Sequence, residues 1–79
     1  MGDIMDKMHS EKYKNLGLNI ALYRKRSGLS QERLAERIDI SRTHMSRIET
    51  ADCAVSLDVV FSICDALGVE PSKLFDFRL

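Results

Sequence analysis

Apolar side chains along this chain recur at three- and four-residue spacing, and no stretch alternates with the period of a strand. Leu16, Ile20 and Tyr23 make one such stripe, predicting a first helix that begins between Ser10 and Asn15 and ends at Gly28 as its C′ residue. Ser30 suits an N-cap, and Gln31–Arg37 are nearly all strong helix formers. Leu34 and Ile38, four apart, point inward, and the small Ala35 beside them lets another helix approach. Asp39 falls where the chain must turn, and Asp is among the few residues that tolerate positive φ. Ser41 caps a third helix with Met45 and Ile48 inward. Ser56 caps a fourth, striped by Leu57, Val60, Ile63, Cys64 and Leu67 and stopped at Gly68. Pro71 opens a short fifth helix, after which Leu74 and Phe75 fold back on the core. The chain is therefore read as all-α: five short helices in one compact domain over residues 14–79. Residues 1–13 are read as an N-terminal arm or short extra helix.

The third helix differs from the others. Apart from Met45 and Ile48, residues 42–49 are polar: Arg42, Thr43, His44, Ser46, Arg47 and Glu49. A thin apolar seam under a broad hydrogen-bonding face suits an element that enters a nucleic-acid groove. Two short helices joined by a tight turn are the layout of a helix-turn-helix, whose second helix lies in the DNA major groove. Arg42 and Thr43 occupy the first turn, the end that meets base edges in this motif. Arg42 and Arg47 each have the fork that pairs with guanine O6 and N7, or with phosphate. A solvated helix face is the plainer reading, and the capped helix before it, the turn and Ala35 weigh against it.

The segment 28–50 resembles the Cro and lambda-repressor-like helix-turn-helix family (the xenobiotic response element type) of bacterial and phage regulators. The resemblance runs from about Leu16 to Phe75. It rests on Leu16, Gly17, Ile20 and Arg24, then Ser30-Gln31, Leu34-Ala35 and Ile40-Ser41. It continues through Ser46-Arg47-Ile48-Glu49, Ser56-Leu57 and Ala66-Leu67-Gly68-Val69. The resemblance implies a compact five-helix DNA-binding domain with double-stranded DNA as its partner. It implies that Arg42, Thr43, Ser46 and Arg47 face bases or phosphates. Gln31, Lys25, Arg26, Ser41 and His44 are assigned to phosphate contact or support, Gln31 also steadying the base-reading side chains. It implies an ion pair between Arg24 and Glu49, which has a physical reason: a carboxylate near a helix C-terminus opposes the macrodipole and gains from a cation. The chain departs from the family at Asp39 and Ala51, where glycine is usual, and at Ala21, where many members are basic. Ala51 is strained if the backbone is kept, so the loop 51–55 is expected to take another path.

Charge sharpens this picture. The net charge is zero, unusual for a nucleic-acid binder, but it is unevenly placed. Residues 24–50 hold seven basic against four acidic side chains, and residues 51–79 two against five. The surplus of three positive charges coincides with the motif, which orients the molecule on DNA without strong non-specific binding. No apolar run is long enough to span a membrane and no signal-type segment opens the chain, so a bacterial cytoplasmic location is expected. Cys53 and Cys64 form no paired motif, and Cys64 reads as a small core hydrophobe. His9 and His44 are too isolated for a metal site, and no nucleophile with base and third group can be assembled. The expectation is a protein that is not an enzyme and holds no metal or cofactor.

Some apolar residues are left over. Leu18 and Leu22 lie off the first stripe, Phe61 edges the fourth, and Phe77 and Leu79 end the chain. Either the head residues Ile4, Met5 and Met8 cover Leu18 and Leu22, or Leu18, Leu22, Phe61 and Phe77 form a homodimer surface. A two-fold dimer with recognition helices about 34 Å apart reads a palindromic site with much greater discrimination. The functional expectation is a sequence-specific transcriptional regulator, a dimeric repressor reading its operator through residues 41–50. The alternatives are a protein-interaction module of the same fold (an antitoxin or anti-repressor) and a restriction–modification controller protein.

Overall fold

The computed structural model describes residues 8–78. Ile4, Met5 and Leu79, named above with the head and tail, lie outside the described residues, and Met8, the head residue that is described, is 81% exposed. The five expected helices are α1 (Ser10–Arg26), α2 (Gln31–Arg37), α3 (Arg42–Glu49), α4 (Leu57–Leu67) and α5 (Pro71–Leu74). There is no strand among the described residues. Residues 10–13, assigned from sequence to the arm, form the first turn of α1. None of these helices is long and apolar enough to cross a membrane.

Helix boundaries follow local chemistry. Ser30, Ser41 and Ser56 each accept with Oγ a backbone N–H from three residues on, in Arg33, His44 and Val59. At the other ends one turn recurs. Leu29 N–H reaches Arg24 O, Ile40 reaches Ala35, Asp52 reaches Arg47 and Val69 reaches Cys64. This is the long-range bond of the Schellman motif, made possible by a left-handed residue just before the donor. Gly28, Asp39, Ala51 and Gly68 fill that place, with φ of 76°, 61°, 61° and 67°. The loop after α3 therefore keeps the left-handed turn despite Ala51, against the expectation of another path.

The core gathers Leu16 and Ile20 of α1, Leu34 and Ala35 of α2, Met45 and Ile48 of α3, Val60, Ile63 and Cys64 of α4, and Leu74 of α5. α3 packs on α1 and α2, while α4 packs on α1, α2 and α5. Burial pushes the Cys64 thiol up from its ordinary range, with Asp65 and Glu70 adding to the shift. Two apolar expectations are corrected. Leu57 is 61% exposed: periodicity gives a helix face, but among the described residues none covers the Leu57 side chain. Phe75 is exposed, and Leu74 alone enters the core. Phe77, expected on a dimer surface, packs partly against the core, its ring 6.2 Å from that of Phe75. This tail is held by Asn19, whose Nδ2 donates to the carbonyls of Leu74 (2.9 Å) and Asp76 (3.1 Å).

Candidate nucleic-acid interface

The position of α3 is set from below. Met45 and Ile48 are buried between α1 and α2, which turns Arg42, Thr43 and Arg47 outward. α1 approaches α3 at Gly17, which is buried and has no side chain to hold the helices apart. Glu49, in the last turn, is the electrostatic anchor. Arg24 Nε donates to its Oε2 at 2.6 Å and Arg24 Nη2 to its Oε1 at 3.0 Å. Arg24 Nη1 also donates to Leu29 O at 2.7 Å, tying the pair to the turn before α2. Both residues are only 8% exposed, and the forked geometry satisfies each charge in the place where burial would otherwise cost most.

Gln31 joins this network. Its Nε2 donates to Glu49 Oε1 at 2.9 Å, so three helices meet on one carboxylate. The amide nitrogen has two N–H groups, and one of them remains for a further acceptor. Gln31 is half-buried at the first position of α2.

The face itself is uneven. Arg42 and Thr43 stand exposed in the first turn of α3, where unpaired backbone N–H groups and the positive end of the helix dipole favour an anion. No acidic residue lies in that turn. Ser41 accepts the His44 N–H on its hydroxyl oxygen at the cap, and His44 and Ser46 are half-buried. Arg47 is exposed but turned toward the loop: its Nε lies 3.6 Å from Asp52 Oδ2, and its Nη2 donates to Asp52 O at 3.3 Å. Lys25 and Arg26 are exposed in the last turn of α1, with the Arg26 guanidinium 5.3 Å from the centre of the Tyr23 ring.

Sequence reasoning brought Arg24 and Glu49 together but gave no role to Gly17 as a contact, to Asn19 or to Asp52. A glycine inside a helix costs about 1 kcal/mol against alanine, and that cost was the available signal of close backbone approach. Leu18, 62% exposed, and Leu22 lie beside Phe77, while Phe61 is exposed on α4 with Leu57 one turn before it. Of the residues proposed as one surface, Leu18, Leu22 and Phe77 line a common groove, and Phe61 lies on α4. Among the described residues no cluster of three metal-ligating side chains occurs.

Comparison with known proteins agrees with this geometry. Residues 15–74 match the family model described as a helix-turn-helix domain. The control protein C.BamHI of Bacillus amyloliquefaciens is 48% identical over 52 residues, a match that spans 66% of this chain and 64% of that protein. Among solved structures, the restriction-modification controller protein C.AhdI from Aeromonas hydrophila superposes with a TM-score of 0.82 at 30% identity, covering 87% of this chain and all of that one. The clp gene regulator ClgR from C. glutamicum gives 0.78 at 26% identity, covering 82% and 84%. With three quarters of its length inside the family model and its turn and caps in place, the chain belongs to the helix-turn-helix domain family.

Proposed function

We propose that this protein is a sequence-specific DNA-binding transcription regulator that reads a half-site with α3 and binds its operator as a homodimer. The observation that carries this reading is the exposed Arg42–Thr43 turn on a helix fixed from behind by Met45, Ile48 and the Arg24–Glu49–Gln31 network. Arg42, Thr43 and Ser46 are the base-facing set. Gln31, with its second N–H, Lys25, Arg26 and the backbone at the start of α3 supply phosphate contacts that set register. Ser41 and His44 support that helix start through the cap. Arg47, expected among the base readers, is left out of the base-facing set because its guanidinium lies at the loop against Asp52.

Among regulators, the controller of a restriction–modification system is the favoured finer reading. The relatives named as control and controller proteins support it, one by 48% identity and one by a match along its whole length. Dimerisation is supported by the apolar side chains left in solvent, Leu57 and Phe61 on α4 and Leu18 and Leu22 on α1. α4 is the better placed of the two, because it packs on α5, α1 and α2 and leaves α3 free to face DNA.

Selection of duplexes from a random library tests the whole reading. Enrichment of an inverted repeat is the expected result, with sedimentation at micromolar concentration giving a dimer. Failure of any duplex to compete above random DNA overturns it, and a monomer on a single half-site overturns the dimer.

A further inference from the structure

The helix ends differ in one respect. Leu29, Ile40 and Val69 follow the left-handed residues of α1, α2 and α4, and all three pack against the core. The Schellman motif commonly carries an apolar contact between this position and the residue five before it. After α3 the position is Asp52, which is exposed, and the residue five before it is Arg47. The turn fixes Asp52 by a 2.7 Å bond from its N–H to Arg47 O. The side chains then meet across it, with Arg47 Nε 3.6 Å from Asp52 Oδ2 and Nη2 on Asp52 O. An ion pair has replaced the apolar contact. By contrast, Arg42 at the other end of α3 makes no ion pair among the described residues.

We infer that Asp52 is a positioning residue that withholds Arg47 from DNA phosphate, limiting non-specific affinity. This rests on the DNA-binding reading above. The carboxylate already partly neutralises the guanidinium at 3.6 Å, so Arg47 brings its full charge to a phosphate only by leaving Asp52. The freed carboxylate then stands unpaired beside a polyanion. Both steps oppose binding to any duplex, whatever its sequence. The pair is solvent-exposed and therefore weak enough to exchange. Arg47 belongs to the segment that carries the positive surplus of the chain, and Asp52 to the acidic segment that follows it.

The test is a salt titration of binding to a short random-sequence duplex, with wild type, Asp52→Asn, Arg47→Ala and the double variant. Asp52→Asn keeps the size and the backbone N–H, and its exposure leaves the fold intact, which thermal melting checks. The expected result is tighter binding by Asp52→Asn and a plot of log K against log salt steeper by about 0.9, the increment of one added phosphate contact. Over a fourfold rise in salt that increment is an extra loss of about 3.5-fold. In the Arg47→Ala background the steepening disappears. An unchanged slope overturns the inference, and so does a steepening that persists without Arg47, which would make Asp52 a simple repulsive charge. Wild type binding no duplex at low salt overturns the regulator reading and this inference with it. Wild-type binding with an unaltered Asp52→Asn slope overturns only the inference.

Discussion

A Cβ on Gly17 would lie 2.5 Å from the carbonyl oxygen of Glu49 and 2.7 Å from that of Ile48. α1 and α3 therefore meet backbone to backbone, and the atoms in the way belong to the last turn of the proposed reading helix. No flexible side chain can yield. Gly17→Ala gains about 1 kcal/mol of helix propensity but meets an overpacking cost of about 1–3 kcal/mol. We expect net destabilisation in chemical denaturation together with a loss of DNA affinity larger than the stability change explains, because α3 must move. A variant that melts higher and binds normally would show that the helices have room.

Glu49 is also the carboxylate that Arg24 and Gln31 share. Arg24→Ala leaves it buried and short of a cation, at a cost of about 3–5 kcal/mol. Arg24→Met combined with Glu49→Leu removes both charges and is expected to recover much of that loss, since an uncompensated charge is the source of the penalty. Urea denaturation of wild type and these two variants checks this. An Arg24→Ala protein as stable as wild type would mean that the pair is not formed in solution.

Ala51 and Asp39 both hold φ of 61°, where an L side chain crowds the following carbonyl. Ala51→Gly removes that cost, about 1 kcal/mol after the added chain entropy of glycine, and should raise Tm by about 4–8 °C. Asp39→Gly is expected to gain less, because Asp tolerates the left-handed region. Equal gains would imply that the side-chain type does not matter at these turns; a lower Tm for Ala51→Gly would mean that the Ala51 methyl group contributes packing that outweighs its strain.

Arg42 tests the assignment of the face. Arg42→Ala should cost about 1–3 kcal/mol on the preferred duplex and relax the preference at one base position. Lys25→Ala should weaken all duplexes alike and flatten the salt slope by about 0.9. Competition binding with single-base variants separates the two. A uniform loss for Arg42→Ala would move that residue to the phosphate set.

The elements were legible because their signals are local. Ser30, Ser41 and Ser56 cap their helices in the sequence and in the fold alike, and the stripes of Leu34, Met45, Ile48, Val60 and Ile63 are buried as periodicity requires. The family resemblance supplied the Arg24–Glu49 pair. What escaped depends on distances between elements. Gly17 marks an interhelical approach, Asn19 reaches carbonyls 55 and 57 residues away, and Leu57 is exposed because no described residue packs over its side chain. Asp52 was legible only as one acid among five in its segment. Its significance appears once the turn places it against Arg47.

Asp76 gives a prediction for pH. Its carboxylate accepts from Arg78 Nε at 2.8 Å and Nη2 at 2.9 Å, and from the Arg78 backbone N–H at 3.2 Å. These bonds, the side-chain ones foremost, lower its pKa from an ordinary 3.8 to about 2. A folded pKa below the unfolded one adds stability above the unfolded value, and that contribution is lost as pH falls from 3.8 through about 2. Solvent screens this exposed pair, so the readout is the titration rather than the melting curve. Carboxyl resonances should show Asp76 still mostly ionised at a pH where ordinary aspartates are half protonated. Arg78→Ala should return the midpoint toward 3.8 without disturbing the Asn19 bonds to the Leu74 and Asp76 carbonyls. A wild-type midpoint near the ordinary value would mean that the tail does not hold this pair in solution.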